Sequence, residues 1–373
     1  MLKRMLYTSL VLSSLILAAN CSKSKSNTGG GGTTDTTTSP VVLSDKILSS
    51  GLTMPWDLVW APDNTIWFTQ KSGIISKVDP ANGTVSNLLT ISDVVVRGEG
   101  GLLGMAFHPS FASNPYLYVV YDYLKGSAYR EKVVRYTVSG NNLSSPTIIF
   151  DNIIADNNHN GSRLVIVGDK LFISTGDAVE TSYPQDPNSV NGKILRINLD
   201  GSIPSDNPVS GNPYWSFGHR NPQGLVYANG ILYSSEHGPN NDDEINIIEK
   251  GRNYGWPTVM GFCDNSSETA FCSSNNVKEP IKAWTPTIAT CGLDYYNNAK
   301  IPQWKNSLLL ATLKNSRLYQ LKLNATFNAV TETNEFYNGK YGRLRDVLVA
   351  PTGKVYLCTS NGSDDKIIEI SAP

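Results

Sequence analysis

Apolar and polar residues alternate with a period of two along most of the chain, and turns containing Pro, Gly, Asn or Asp separate the alternating runs. Such alternation predicts antiparallel β-strands that bury one face, and no segment shows a sustained helical period. One order recurs six times: a strand, a turn, a second strand ending in Thr or Ser, a loop and a third strand. The copies begin near residues 56–79, 102–123, 163–178, 223–238, 292–321 and 344–361.

Repetition at roughly 45 to 70 residues favours the blades of a propeller over a sandwich. Six copies predict an all-β fold, a six-bladed β-propeller, whose ring closes when residues 45–52 pair with the last strand, residues 366–371. An extended all-β array is the alternative, and it would leave edge strands open to aggregation. In a closed ring, the loops between blades meet at the mouth of the central channel. Polar loop residues that are distant in sequence are therefore expected to converge.

Residues 1–20 have the layout of an export signal, with two early positive charges, an apolar run over residues 10–17 and small residues before Cys21. The ending LAANC resembles a bacterial lipoprotein signal, so Cys21 is a predicted lipidation site at the new N-terminus. Asn20 departs from the small residue usual at that position, and an ordinary signal peptide is the alternative. A transmembrane helix is disfavoured because the apolar run is shorter than the roughly twenty residues that a bilayer requires.

Residues 21–41 contain almost no apolar side chain and are expected to form a flexible tether, because they cannot bury enough surface to offset the entropy of ordering. A lipid and a tether together imply a domain anchored in the bacterial envelope or exported to the periplasm. No similar linker interrupts residues 42–373, so one large domain is expected there.

Charge and cysteine content narrow the range of partners. The formal net charge of −1 and the 17 % of charged residues provide no basic field for nucleic acid and favour a small-molecule site. Cys263 and Cys272 flank a polar loop and are candidates for a disulfide, whereas Cys291 and Cys358 cannot be assigned from their spacing.

Residues 217–257 combine cations, carboxylates, a His-Gly-Pro turn and an aromatic turn around one short hairpin. Pro239 lacks an N–H and restricts Gly238 to an extended conformation, so both carbonyls can point outward. Ca²⁺ accepts neutral carbonyl oxygens as well as carboxylates. This stretch therefore predicts a place where a metal ion and an anionic cofactor are held together.

Polar loops next to the first strands carry a more specific signal. Their sequences are RGEGGLLG (97–104), DNNHNGSRL (156–164), FGHRNPQG (217–224), SEHGPNNDDEIN (235–246), WTPTIATCG (284–292), LKNSR (313–317) and YGRLRD (341–346). Together these strings resemble, in order, those of the PQQ-dependent soluble aldose dehydrogenases, also called the glucose/sorbosone dehydrogenase family. The resemblance covers about residues 45–371 and implies an exported quinoprotein that oxidises an aldose at C1 to the lactone.

The resemblance implies that His159 is the catalytic base, which takes the proton of the anomeric hydroxyl as hydride leaves C1 for the quinone. An imidazole suits proton abstraction near neutral pH, although a structural role is the alternative on position alone. Some family members have an aspartate before this histidine, where this chain has Asn158. An amide can hold the ring but adds no charge to stabilise the imidazolium, so we expect a weaker base.

Four residues are implied to contact the cofactor near its quinone. Arg220 and Asn221 follow the family pattern, and a guanidinium beside the reducible carbonyl would stabilise the negative charge that grows on its oxygen. Glu99 falls where some members carry Gln near the cofactor, and Thr287 lies in a loop that borders cofactor and sugar. A turn cation and a cap are the alternative roles for Arg220 and Asn221.

The resemblance also implies two calcium ions and one substrate contact. The carbonyls of Gly238 and Pro239 would bind the catalytic Ca²⁺ together with cofactor oxygens, and Glu244 and Tyr254 would bind the second ion. Asp243 would lie on the substrate side. A solvated turn is the alternative for these carboxylates.

Lys314, Arg343 and Arg345 stand on separate loops, and each alone is compatible with an ordinary surface charge. If the propeller brings them together, they form the cationic site that PQQ, an anion with three carboxylates, would require. The spacing of Arg343 and Arg345 at a strand start predicts side chains on one face.

Two other functions compete with the quinoprotein dehydrogenase. A surface binding module would keep the propeller and lose the chemistry, but it has no need for His159 together with these cations. A calcium-dependent lactonase would not require an anion site. The sugar, the electron acceptor and the oligomeric state cannot be assigned from the sequence.

Overall fold

The alternating segments form twenty-four β-strands within residues 40–373, which are the residues that the computed structural model describes. The predicted signal peptide, Cys21 and nearly all of the tether lie outside this range. The strands form six four-stranded antiparallel sheets, each made of neighbouring segments in sequence order except the last. The predicted six-bladed β-propeller is therefore confirmed.

The first three blades follow directly along the chain. Blade 1 consists of Pro55–Trp60, Ile66–Gln70, Ile74–Val78 and Val85–Thr90. Blade 2 consists of Leu102–Phe107, Tyr116–Lys125, Ala128–Ser139 and Asn142–Ile154. Blade 3 consists of Gly161–Val167, Lys170–Thr175, Lys193–Asn198 and Tyr214–Phe217.

The last three blades complete the ring. Blade 4 consists of Pro222–Ala228, Ile231–Glu236, Asp243–Ile247 and Lys282–Trp284. Blade 5 consists of Thr290–Tyr296, Ser307–Thr312, Leu318–Leu323 and Val330–Phe336. Blade 6 consists of Leu344–Val349, Val355–Thr359, Asp365–Ser371 and the N-terminal strand Ser44–Leu52.

Blade 6 closes the ring as predicted. Ser44–Leu52 pairs antiparallel with Asp365–Ser371, with Ser44 opposite Ser371 and Ile47 opposite Ile368. Side-chain contacts strengthen the junction, because Asp365 Oδ2 accepts a hydrogen bond from the Met54 amide at 3.0 Å. Two segments that are distant in sequence thus share one sheet, and the N-terminal segment supplies the outermost strand of blade 6.

Buried apolar side chains fill the spaces between adjacent blades, because strands with alternating patterns present one apolar face to each neighbour. Aromatic residues fill much of this volume, and Trp67, Tyr118, Tyr233 and Trp304 are almost completely buried. The first strands of neighbouring blades pack against one another around the centre.

The centre of the ring is polar rather than apolar. Arg163, at the start of blade 3, contacts the carboxylates of Asp57 from blade 1 and Asp346 from blade 6, and it stacks on Trp56 at 4.2 Å. Arg163 Nε also donates to the carbonyl of Gln223 in blade 4 at 3.0 Å. One guanidinium therefore joins four of the six blades.

The two central carboxylates also hold the backbones of neighbouring blades. Asp57 Oδ2 accepts from the Met105 amide at 2.7 Å, and Asp346 Oδ2 accepts from the Leu58 amide at 2.8 Å. Burial raises the pKa of Asp346 well above its ordinary value; Arg163 opposes that rise and Asp57 adds to it. Because one guanidinium neutralises one carboxylate, the second carboxyl is expected to hold a proton.

The single α-helix of the described residues, Ser266–Asn275, was not expected from the sequence. It is polar, buries only Glu268, and begins at Asn265, whose side chain accepts a hydrogen bond from the Glu268 amide. A helix without an apolar stripe carries no periodic signal, which is why the pattern missed it. The Cys263–Cys272 disulfide links the segment before the helix to its last turns and confirms the predicted pairing. Cys291 and Cys358 are free thiols in the buried interior.

None of the helices in residues 40–373 has the length and apolar character needed to span a bilayer.

Replacing Arg163 with Met should lower the free energy of unfolding by about 3–5 kcal/mol, because it leaves two buried carboxylates without a counter-charge. Urea unfolding followed by tryptophan fluorescence measures the change. Arg317→Met is the matched control, since Arg317 pairs with Glu335 at the surface and its loss should cost less than about 1 kcal/mol. Equal effects of the two substitutions would contradict the role assigned to Arg163.

Candidate active site

The topology places the predicted site residues on one face of the ring. In an antiparallel pair, the start of the first strand and the end of the second lie at the same edge. Loops that precede first strands therefore meet turns that follow second strands. The first group contains Glu99, His159, Arg220, Thr287 and Arg343, and the second contains Gly238 and Lys314.

His159 lies in the loop before blade 3 with a φ of 62°, in the left-handed region that residues other than glycine seldom adopt. Its amide donates to Glu99 Oε2 at 3.1 Å, and its carbonyl oxygen accepts from the Ala178 amide at 3.1 Å. A Cβ at Gly176 would lie 1.8 Å from that carbonyl oxygen, so only glycine fits there. The surrounding loops thus hold His159 in a strained conformation, as is common at functional sites.

Asp177, which the sequence analysis missed, orients the imidazole. Its Oδ1 lies 2.7 Å from His159 Nδ1, and the residue is 1 % exposed. An ionised carboxylate can only accept, so Nδ1 carries a proton and Nε2 is free to receive one. The expectation that Asn158 would hold the ring without charge is wrong, because the turn after the second strand of blade 3 supplies a carboxylate. Its position on the shared face could have identified Asp177.

Glu99 supports the base loop. Besides the bond from the His159 amide to its side chain, its own amide donates to the Asn157 carbonyl at 2.6 Å. Its charge acts on Lys71, Arg220 and Arg343. The Glu99 carboxylate is thus placed among cations. A direct cofactor contact for Glu99 stays a prediction.

Arg220 and Asn221 lie side by side before blade 4. Arg220 Nη1 donates to the carbonyl of Gly238 at 3.0 Å, and burial lowers the pKa of its guanidinium while Asp177 opposes the change. Asn221 is fully buried, and its Oδ1 accepts from the Gly161 amide at 3.1 Å. The loops that carry His159 and Arg220 are therefore tied together.

Gly238 and Pro239 follow the second strand of blade 4, where their carbonyls were predicted to bind Ca²⁺. The Gly238 carbonyl oxygen accepts a hydrogen bond from the Arg220 guanidinium, so it already faces a positive charge. Residues 40–373 contain no group of three or more His, Cys, Asp or Glu side chains arranged to hold a metal. The donor chemistry on this turn is that of hard carbonyl oxygens, which fits Ca²⁺ when other oxygens complete the shell.

Asp243 occupies a different place from the one predicted. It is 1 % exposed, and its Oδ1 accepts from the Gly238 amide at 2.9 Å. Its Oδ2 accepts from the amides of Ile288, Ala289 and Thr290 at 2.7, 2.6 and 3.3 Å. A buried carboxylate with four amide donors orders the turn between blades 4 and 5, so the prediction that Asp243 faces the substrate is not supported.

Glu244 and Tyr254 line a small, partly open pocket with Glu236, Asp242 and Gly238. Burial raises the pKa of Glu244 to about 8, and the neighbouring Glu236 carboxylate adds to the rise. A cation would relieve this concentration of negative charge, which fits the predicted second calcium ion. The Tyr254 hydroxyl donates to the Ile247 carbonyl, so a contact from Tyr254 to a metal would use its backbone.

The predicted cations lie on blades 5 and 6, and Lys71 of blade 1 joins them. Lys314 Nζ donates to Thr287 Oγ1 at 3.0 Å, and Arg345 Nη1 donates to Gln223 Oε1 at 3.2 Å. The positive charge of Arg345 lowers the pKa of Arg343 and of Lys71, after burial as the larger cause in each case. These cations therefore share one region, and Lys71 was missed because a lone lysine after a strand has no sequence signal.

Unsatisfied donors indicate what this region binds. Arg220 Nε, Asn221 Nδ2 and Arg345 Nε are buried and have no hydrogen-bond partner among residues 40–373. Buried donors are normally paired, so three unpaired donors in the predicted cofactor-binding set fit a ligand rich in anionic acceptors.

A pair of buried carboxyl groups lies beneath the loops of Glu99 and His159. Asp122 and Glu131 are opposite each other on neighbouring strands of blade 2 and are fully buried. Asp122 Oδ2 accepts from the Gly101 amide at 2.7 Å and from Asn160 Nδ2 at 3.3 Å. Burial raises the pKa of Asp122 to about 7, and burial and then Asp122 raise the pKa of Glu131 well above its ordinary value. This pair therefore connects both loops.

Because both carboxyls have pKa values raised in the folded state, their stabilising effect is complete below their unfolded values and is lost as the pH rises. For Asp122 the free energy of unfolding should thus fall from about pH 4, the ordinary carboxyl value, up to its folded pKa of about 7, and Glu131 adds to this fall. Glu131→Gln removes one titrating carboxyl and should flatten this fall. Urea unfolding at a series of pH values measures both curves, and identical slopes would contradict the explanation.

Comparisons with known proteins identify the family of this chain. The sequence profile of the Glucose / Sorbosone dehydrogenase family matches residues 52–369. The chain is 31 % identical to quinoprotein glucose dehydrogenase B of Acinetobacter calcoaceticus, with 86 % of each chain covered. It is 31 % identical to the aldose sugar dehydrogenase YliI of Escherichia coli, with 88 % of this chain and 92 % of that protein covered.

A solved structure gives the same result for the fold. The PQQ-bound aldose sugar dehydrogenase of Streptomyces coelicolor superimposes with a TM-score of 0.76 at 33 % identity, covering 90 % of this chain and 99 % of that one.

Proposed function

The chain belongs to the glucose/sorbosone dehydrogenase family, and on that premise we propose that it oxidises an aldose sugar at C1 to the lactone with PQQ and Ca²⁺ bound at the face described above. The observation that carries this proposal is the meeting, on one face, of an oriented imidazole with unpaired cationic donors. Neither a lactonase nor a simple binding module requires both.

His159 is the proposed base. Its Nε2 receives the proton of the anomeric hydroxyl, and the Asp177 carboxylate on Nδ1 stabilises the imidazolium that results. When bound, PQQ supplies the quinone that accepts hydride from C1, and Ca²⁺ polarises it. The products are the lactone and reduced cofactor, which a separate electron acceptor must reoxidise.

The other residues bind the cofactor or stabilise charge. Arg220 provides a positive charge where negative charge develops, and Asn221 donates through its unpaired Nδ2. Lys314, Arg343 and Arg345 would pair with the cofactor carboxylates. Thr287 and Glu99 are proposed neighbours of the cofactor, with Thr287 already holding Lys314.

Gly238 and Pro239 are proposed to bind the catalytic Ca²⁺ through their carbonyls, and Glu244 with Tyr254 to bind a second ion. We also propose that the protein is exported and anchored through Cys21.

Purified protein should bind PQQ at micromolar concentration and then reduce a dye in the presence of Ca²⁺ and one or more aldoses. His159→Ala should still bind PQQ but lose turnover by at least about 100-fold, because it removes the base. Absorbance titration measures binding, and dye reduction measures turnover. His108→Ala is the matched control, since His108 follows the first strand of blade 2 and lies at the opposite face.

Absence of PQQ binding at micromolar concentration would sink the enzyme proposal. Binding with no turnover on any aldose would favour the binding module. Retained turnover in His159→Ala would show that another group is the base.

Removal of Ca²⁺ with EDTA should abolish turnover, and added Ca²⁺ should restore it better than Mg²⁺. The reason is that Ca²⁺ accepts flexible shells rich in carbonyl oxygens, whereas Mg²⁺ requires a small octahedral shell and releases water reluctantly. Dye reduction after dialysis and metal addition measures recovery. Equal recovery with the two ions would count against the carbonyl site at Gly238 and Pro239.

A further inference from the structure

The side chain of Trp256 lies between Asp177, which orients the proposed base, and Arg220, the proposed charge-stabilising cation. Its indole Nε1 donates to Asp177 Oδ2 at 2.8 Å, and its ring lies 5.2 Å from the Arg220 guanidinium carbon. Asp177 in turn contacts His159 at 2.7 Å. One side chain thus touches both the partner of the proposed base and the proposed charge-stabilising cation.

The backbone of Trp256 is fixed independently of these contacts. Its amide donates to the Gly218 carbonyl at 3.0 Å, and its carbonyl accepts from Gln185 Nε2 at 2.7 Å. The indole is therefore presented from a rigid turn, and changing its ring need not move the chain.

The indole N–H determines how the Asp177 carboxylate is oriented. Asp177 Oδ1 accepts from His159 Nδ1 and from the Val179 amide at 2.8 Å, while Oδ2 accepts from Trp256. With both oxygens bonded, the carboxylate plane is fixed and so is the imidazole. Without the indole N–H, the buried Oδ2 loses its donor and the carboxylate is held through Oδ1 alone, so its plane is less restricted.

The indole ring determines where Arg220 lies. A guanidinium over an aromatic face is attracted by the ring electrons, and here the stack leaves Nη1 within 3.0 Å of the Gly238 carbonyl. Arg220 Nε has no partner within residues 40–373, so the ring face is a main constraint on the end of this side chain.

We propose that Trp256 is a positioning residue. Its N–H orients His159 through Asp177, and its ring orients Arg220, so that base and cation keep a fixed relative position. The inference rests on the proposed function for its kinetic consequence. Its structural consequence, the orientation of His159, is measurable in protein without cofactor.

Trp256→Phe separates the two effects, because it keeps an aromatic face and removes the N–H. We expect kcat to fall about 10-fold to 100-fold, as for loss of a hydrogen bond to a charged group, with KM nearly unchanged. Trp256→Leu removes the ring as well and should also weaken PQQ binding. Trp256→His returns a ring N–H and should recover part of the lost kcat. Trp215→Phe is the control, since Trp215 stacks on Arg196 at 4.8 Å in an outer groove.

Nitrogen-15 NMR of the histidine side chains gives the second measurement, which needs neither cofactor nor substrate. The chain has only 4 histidines, so the signals of His159 can be assigned by substitution. Wild-type protein should show protonated Nδ1 and bare Nε2 in the neutral ring. Trp256→Phe should show a mixture of the two tautomers, and Trp215→Phe should match wild type.

A double-mutant cycle tests the route through Asp177. Trp256→Phe should add little to the loss of kcat in Asp177→Asn, because both substitutions break the same chain of contacts. Wild-type kcat together with an unchanged His159 tautomer in Trp256→Phe would overturn the proposal, and fully additive losses would do the same. If the wild-type protein binds no PQQ, the proposed function fails, while the tautomer measurement still decides whether Trp256 orients His159.

Discussion

The contact of Arg163 with Asp57 and Asp346 is the interaction on which the rest of the structure depends. It brings three first strands to one point, and the backbone hydrogen bonds of the two carboxylates extend the connection to further blades. Apolar contacts are non-directional, so an apolar centre would tolerate small shifts between blades. The buried ion pair and its hydrogen bonds are satisfied in one geometry. Because His159 lies four residues before Arg163, the same contact also fixes the C-terminal end of the loop that carries His159.

The fold was predictable because its signal is local and repeated. The alternation of apolar and polar residues predicted the strands, and the six copies of the strand pattern predicted the blades. The pairing of residues 45–52 with 366–371 followed from the need to close a ring. The family assignment agrees with that analysis. The sequence pattern did not predict the helix Ser266–Asn275, because this polar helix is stabilised by a cap and a disulfide and has no apolar stripe.

The site was predictable only in part, for physical reasons that differ among residues. His159 and Arg220 stand in loops whose composition marks them, and the structure brings both to one face. Asp177 was missed although its place after the second strand of blade 3 puts it on the shared face, and Trp256 was missed because its contact with Asp177 across blades leaves no pattern in the sequence. Asp243 shows the reverse error, since a carboxylate in an acidic run was given a ligand role although four backbone amides already use it.

Closure of the ring by the N-terminal strand determines when the last blade can form during synthesis. Arg343 and Arg345 belong to the blade that contains both Ser44–Leu52 and Asp365–Ser371, the first and last strands of the ring. That blade cannot form until synthesis has passed Asp365–Ser371. The proposed anion site, which includes Arg343 and Arg345, is thus completed only after the strands of the other five blades have been synthesised.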